Sequence, residues 1–324
     1  MKRLISLLLC ALLIVPALAE DAPDFEPIPW DIKVSPNLPN PDCYLPNNGG
    51  YHDDSIDIQI NVTYWTQDLQ QVDAPGEGTT TVMSARVKLT DVSQFRTGFA
   101  NKYPSKQARH VNDMTKRFNA VMGIDGDYCL YHEQGIVVRN GQTLRMRPHK
   151  GRDELIVDEN GDFHLITCTT QAKWDEYIAG GGTVLHAFCF GPALVVDGVP
   201  LANLDDVTID NGKAKKAQRM VIGQIGKLEY LILTNEGPES TAPKSVGFDL
   251  VQMANLCVQF GLDNAYNLDG GSSSTIALNN QKINSPSSHK NRMVGDCIWF
   301  ATLVKEETWR EKESVQTVEV EENK

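Results

Sequence analysis

Polar and apolar residues alternate along Ser55-Ile56-Asp57-Ile58-Gln59-Ile60-Asn61-Val62, the period of a strand with one buried face. Thr81 to Thr90 alternates in the same way, across a polar, glycine-containing loop. Beyond residue 119 the pattern changes to short apolar runs closed by turn signals. One run, Ala120 to Ile124, empties into Asp125-Gly126-Asp127. Ile136-Val137-Val138-Arg139 turns at Asn140-Gly141, a hairpin tip. Leu155 to Val157 and Phe163 to Ile166 flank another turn, and the runs around residues 186–190 and 193–196 meet at Gly191-Pro192. Arg219 heads a further apolar strand, Leu228 to Thr234 is its partner, and Ile276 to Leu278 and Cys297 to Leu303 follow. Helical periodicity is confined to three places: residues 105–119, with Val111, Met114 and Phe118 on one face; a turn near 173–178; and 248–260, where Leu250, Met253, Ala254, Cys257 and Phe260 share one side. Many short strands and few helices predict an α+β fold, a single catalytic domain of mixed or antiparallel sheets with a few packed helices.

The ends of the chain do not follow this pattern. Lys2 and Arg3, an apolar run from Leu4 to Val15 and Ala17-Leu18-Ala19 read as a signal peptide over residues 1–19. No other run is long enough to cross a bilayer, so no integral membrane segment is expected after the leader is cut, and the expected location is secreted or cell envelope. Prolines at 23, 27, 29, 36, 39, 41 and 46 make residues 20–50 an extended arm. The globular domain is then 51–304, and 305–324 is an acidic tail. Without Lys2 and Arg3 the chain holds 28 basic residues against 42 acidic ones, a net charge of about −14. That field repels nucleic acid and anionic membranes. The six cysteines beyond the leader permit up to three disulfides and form no Cys-x-x-Cys pair.

The chemistry concentrates in Asn267-Leu268-Asp269-Gly270-Gly271-Ser272-Ser273-Ser274-Thr275. Paired glycines allow a tight corner that a ligand can approach closely. Around it converge a carboxylate, amides and hydroxyls, the groups that a sugar phosphate requires. Asp125 and Asp127, with a glycine to turn them together, add two carboxylates that suit hydroxyl recognition or a calcium or magnesium ion. The planar fork of Arg219 suits a phosphate. His186, alone at the start of a strand, reads as structural.

In order, Asp-Gly-Asp-Tyr, Gly-Pro-x-Leu-Val-x-x-Gly, Arg-x-x-Ile-Gly, a helix and Asn-Leu-Asp-Gly-Gly-Ser resemble the phosphodiester glycosidase family over about residues 82–303. The resemblance implies hydrolysis of a sugar 1-phosphodiester, with an N-acetylglucosamine-type sugar, on a phosphorylated glycan or similar partner. It implies catalytic roles for Asp269, Asp127 and Asp125, and substrate contacts from Arg219, Asn267, Gly270, Gly271, Ser272 and Glu236. Asp125 stands where asparagine is frequent in relatives, and Glu236 where Asp-Gly is frequent. No cofactor is required by this reading. The cysteine-rich and membrane-spanning extensions of eukaryotic relatives have no counterpart here, so the simpler bacterial form is expected. Two other classes fit the same residues: a glycan-binding module without catalysis, and a phosphoesterase holding calcium or magnesium between Asp125, Asp127 and Asp269.

Overall fold

The computed structural model describes residues 25–201, 215–238, 240, 244–285 and 291–310. The signal-peptide residues and most of the acidic tail lie outside the described residues. Three sheets enclose one core. The largest runs in the order Tyr44–Leu45, Gly50–His52, Ile56–Trp65, Thr80–Leu89, Glu229–Asn235, Arg219–Gly226, Asn264–Asn267, Ala193–Val196 and Val199–Pro200, with Gln71–Val72 paired to Ile56–Trp65. A second sheet joins Phe163–Ile166, Glu154–Val157, His186–Phe188, Gly135–Arg139 and Gln142–Arg147. A third joins Gln281–Lys282, Ile276–Leu278, Met122–Asp125, Asp296–Phe300 and Phe95–Phe99. Of the mixed or antiparallel sheets expected, the described ladders are all antiparallel.

Alternation explains how each sheet shares itself between two apolar layers. Ile56 and Ile58 point inward with Ala85, Val87, Met220, Ile222 and Ile232, where they meet Ile124, Ile298 and Phe300 of the third sheet and Leu155 and Phe188 of the second. Val82, Val221 and Leu233 point the other way. A helix covers each outer face. α1 (Val111–Phe118) packs Val111, Met114 and Phe118 beside Trp299. α2 (Gln171–Ala179) buries Trp174 on the second sheet. α3 (Leu250–Gln259) lays Leu250, Met253, Ala254 and Cys257 on the largest sheet. α1 is shorter than its sequence pattern, because residues 105–110 form no helix and Asn119 ends it in the left-handed region, φ 55°.

The proline-rich arm does not trail from the domain. Ile28 is buried against α1, Ser35 N–H donates to the Phe118 carbonyl at 2.9 Å, and the Arg96 guanidinium, stacked 4.7 Å from the Trp30 ring, donates to the Pro29 and Ile32 carbonyls. Prolines suit this path because it asks for an extended backbone with few donors. Cys43, Cys129, Cys189, Cys257 and Cys297 are unbridged thiols, so the three-bridge framework that six cysteines permit is not built.

α3 aims the chain into the Asn267–Thr275 corner. Asp249 caps it: its carboxylate accepts from Gln252 N–H at 2.8 Å, and the Gln252 side chain accepts from Asp249 N–H at 3.1 Å. Removing such a cap costs about 1 kcal/mol. Asp249→Ala is therefore expected to lower the unfolding free energy by that amount, seen as a lower urea midpoint at an unchanged slope; an unchanged midpoint would show that packing alone holds the helix.

Candidate active site

The site is assembled from strand ends. Met122–Asp125 of the third sheet leaves the core as Asp125-Gly126-Asp127, and Asn264–Asn267 of the largest sheet leaves it as Leu268-Asp269-Gly270-Gly271. One backbone hydrogen bond ties the two motifs: Asp269 N–H donates to the Gly126 carbonyl at 3.2 Å. Glycine is required at 126, where a Cβ would sit 2.3 Å from an Asp296 carboxylate oxygen. At Gly270 a Cβ would stand 2.9 Å from the Gln218 carbonyl. That carbonyl accepts from Gly271 N–H at 2.9 Å, while Leu268 N–H donates to the Met220 carbonyl. The corner is thus laid flat on the strand that Arg219 heads.

Asp127 is spoken for on both oxygens. Oδ1 accepts from Arg139 at 2.8 Å and from Cys129 N–H at 3.2 Å, and Oδ2 accepts from Cys189 N–H at 2.8 Å. Arg139 is buried, stacks 4.4 Å from the Phe188 ring and also donates to Asp296 at 3.2 Å. Burial would raise the Asp127 carboxyl, but Arg139 and these donors hold it below the ordinary range. Asp296, buried beside the Asp127 charge, is pushed up to about 7 against the pull of Arg139. Asp127, Cys129 and Asp296 bring ligand atoms within 4.8 Å of one another. The positive charge between the two carboxylates is Arg139, and the sequence offered no spacing to announce it.

The other carboxyls are poised differently. Asp125 is fully buried; Oδ1 accepts from Thr275 N–H at 2.8 Å and Oδ2 has no partner. Burial and the nearby Asp269 charge hold it well above the ordinary carboxyl range. Asp269 accepts from its neighbour Gly270 at 2.9 Å. Burial raises it to about 6, with the Ser273 hydroxyl, Arg292 and the Gly270 amide favouring the anion. Glu236 accepts from Ser285 N–H at 3.0 Å, leaves Oε2 without a partner and is raised by burial to about 7. Lys282, which sequence reading passed over, donates to the Ser274 carbonyl at 2.9 Å and to Thr275 Oγ1 at 3.0 Å. Burial lowers its ammonium to about 8, against the fields of Asp125 and Glu236.

The remaining predicted residues divide. Asn267 is buried in the corner, donates to the Gly191 carbonyl at 2.8 Å and leaves Oδ1 without a partner. Ser272 is half-buried, at the mouth. Gly271 takes a left-handed φ of 62° with open space beside it. The Gly270 and Gly271 amides donate within the protein, to Asp269 Oδ1 and the Gln218 carbonyl. Arg219 lies under the corner through its backbone, but its guanidinium donates to the Lys215 carbonyl at 2.6 Å and feels the charge of Asp249. His186 is buried and neutral, with its ring nitrogens beside Thr97 Oγ1, Asn140 N–H and the Phe95 carbonyl.

Buried polar atoms in folded proteins are nearly always paired. Here Asp125 Oδ2, Glu236 Oε2, Asn267 Oδ1 and Ser274 Oγ have no partner among the described residues, and Asp125 and Glu236 both act on Lys282. Carboxyls raised together in one recess are a signature of a functional site.

A family model described as phosphodiester glycosidase matches residues 118–301. The chain belongs to the phosphodiester glycosidase family. The matched span holds both acidic motifs, Arg139, Lys282 and Asp296. The catalytic domain of zebrafish N-acetylglucosamine-1-phosphodiester alpha-N-acetylglucosaminidase, solved as a form auto-inhibited by its pro-peptide, shares the fold: TM-score 0.61, 14% identity, 76% of this chain and 84% of that one. A hypothetical protein from Synechocystis matches with TM-score 0.51 and 14% identity, over 76% of this chain and 62% of that one. No curated protein matches. The family assignment makes the chain a hydrolase, a phosphodiester glycosidase, built on an α+β fold. Among the described residues no helix is long and apolar enough to cross a membrane.

A carboxyl that binds its proton more tightly in the fold than in the unfolded chain lowers stability as pH rises between the two values. For Glu236 that window runs from about 4.5 to about 7. Glu236→Gln, which can still accept from Ser285, is expected to melt higher than the wild type at pH 7.5, with the gain shrinking to nothing near pH 4. A gain independent of pH would remove Glu236 from the set of raised acids.

Proposed function

We propose that this chain is an exported enzyme hydrolysing a sugar 1-phosphodiester, with an N-acetylglucosamine-type sugar as first candidate. The observation that carries the reading is the unpaired second oxygen of Asp125 and of Glu236, both within the field of Lys282, with the Asp269 charge acting on Asp125 beside a glycine corner. The sugar assignment leans on the name of the zebrafish relative. Export leans on the basic start, apolar run and Ala-Leu-Ala of residues 1–19.

The chemistry follows from the differing carboxyls. Asp269, at about 6, is mostly ionised at neutral pH, with the Ser273 hydroxyl and Arg292 favouring its anion. It activates water or attacks the anomeric carbon. Asp125 and Glu236, held protonated to higher pH, donate to sugar hydroxyls or to the departing oxygen. A phosphate leaves readily, so acid assistance is modest and most of the work is positioning. Asn267 and Ser272 offer an acceptor and a hydroxyl to the sugar. Asp127 supports the reaction by fixing the Gly126 turn through Arg139. The chain's own cation, Arg139, neutralises the Asp127–Asp296 pair.

Purified protein incubated with a panel of sugar 1-phosphodiesters is expected to release free sugar and a phosphomonoester, with chelator making no difference. Asp269→Asn should lower kcat/KM by at least about 100-fold while remaining folded. In the wild type kcat/KM should rise with pH through about 6, as Asp269 ionises, and fall above about 7, as Glu236 loses its proton. Loss of turnover on chelation, restored by calcium or magnesium, would transfer the chemistry to a metal-dependent phosphoesterase. Binding of the phosphodiester without turnover by the folded wild type would make the chain a glycan-binding module.

A further inference from the structure

Arg292 lies beside the Asn267–Thr275 corner. It is exposed, yet it is held in place: its N–H donates to the Ser272 carbonyl at 3.4 Å, its guanidinium carbon lies 5.1 Å from the centre of the Tyr128 ring, and Nη2 donates to Tyr128 Oη at 3.3 Å. No carboxylate forms an ion pair with it among the described residues. Its charge reaches Asp269 all the same, favouring that carboxylate's anion. In a chain of net charge −12 an unpaired arginine beside an acidic recess is a distinctive feature. Its fork is the side chain best shaped for the oxygens of a phosphate.

Tyr128 is arranged to present it. It follows Asp127 directly and takes a left-handed φ of 58°, a conformation that a tyrosine adopts at a cost of order 1 kcal/mol. That backbone turn brings the ring under Arg292, where Tyr131 stacks on it at 4.4 Å and His132 meets it edge-on at 5.3 Å. The Asp127–Arg139 anchor on one side and the Tyr131 stack on the other keep the strained turn in place. The corner's own amides donate elsewhere, Arg219 donates to the Lys215 carbonyl, and among the described residues Arg292 is the exposed cation whose charge acts on Asp269.

We propose that Arg292, seated on Tyr128, is the residue that grips the phosphate of the substrate and so selects phosphodiesters over glycosides with neutral leaving groups. The proposal rests on the hydrolytic reading above, and it names the residue that recognises the leaving group there. Arg292 binds charge that is present before and after bond cleavage, so it acts mainly on binding and secondarily on the rate of the chemical step.

The test uses Arg292→Ala, Arg292→Lys and Tyr128→Phe in the full chain. For the phosphodiester substrate, Arg292→Ala should raise KM by about tenfold or more with a smaller change in kcat. Arg292→Lys should fall between, because an ammonium keeps the charge and loses the fork and the stacking. Inhibition by inorganic phosphate should weaken in parallel, while inhibition by the free sugar stays as in the wild type. Tyr128→Phe retains the stacking and should shift KM only slightly. Unchanged KM and unchanged phosphate inhibition in a folded Arg292→Ala protein would overturn the proposal. If the wild type turns over no phosphodiester, the hydrolytic reading fails by itself. Calorimetric titration of inorganic phosphate into wild type and Arg292→Ala then still decides: binding that is lost in the variant supports the anion grip, and equal heats in both refute it.

Discussion

The arrangement depends on one buried contact, the guanidinium of Arg139 held between Asp127 and Asp296. Burying two carboxylates without a cation would be prohibitive, and breaking such a pair by removing one partner costs about 3–5 kcal/mol. The contact joins the second sheet, which carries Arg139, to the third, which carries Asp296, and it fastens the turn after Met122–Asp125 to both. With that turn fixed, Gly126 offers its carbonyl to Asp269, Asp125 meets the Thr275 amide, and Tyr128 is brought under Arg292. The ion pair therefore does its work at a distance from the reacting groups, by setting the position of the acids that remain unpaired.

Those unpaired acids show a division of labour achieved by environment. Asp125, Asp127, Asp269 and Asp296 are all buried, and only the donors around them differ. Asp127 meets three donors and stays an anion; Asp125 meets one amide and holds its proton; Asp269, with the Ser273 hydroxyl, one amide and Arg292 in view, lies between. A hydrolase working on an anionic leaving group needs such unlike carboxyls close together, one ready to accept a proton and others able to donate hydrogen bonds.

Much of the fold was legible in the chain. The alternation of Ile56, Ile58 and their neighbours, the Asn140-Gly141 hairpin and the face of α3 are local signals, and the strands and helix they announce are present with small shifts at the ends. The closeness of the Asp125 and Asp269 motifs was readable only through the family resemblance, because the hydrogen bond between Gly126 and Asp269 joins residues far apart in the chain. Arg139, Lys282 and Asp296 lay beyond reach for a related reason. Arg139 looked like the last residue of a hairpin strand, and its partners Asp127 and Asp296 come from the third sheet and the turn that leaves it; Lys282 and Asp296 belong to no motif of the sequence. Strand position alone did not show that Arg219 reaches the corner through its backbone while its guanidinium donates to the Lys215 carbonyl. The arm's prolines signalled an extended path and carried no information about the surface beneath it.

Asp296 opens the final strand, and its carboxylate is needed by a turn made some 169 residues earlier. Until that strand inserts, Arg139 has half its counter-charge and Gly126 lacks the carbonyl that receives its amide. Assembly of the recess is thus deferred to the end of synthesis, since no N-terminal portion of the chain can close it. A nascent or truncated polypeptide would carry Asp125, Asp127, Glu236 and Asp269 and still lack the Asp296 carboxylate that completes the Arg139 contact.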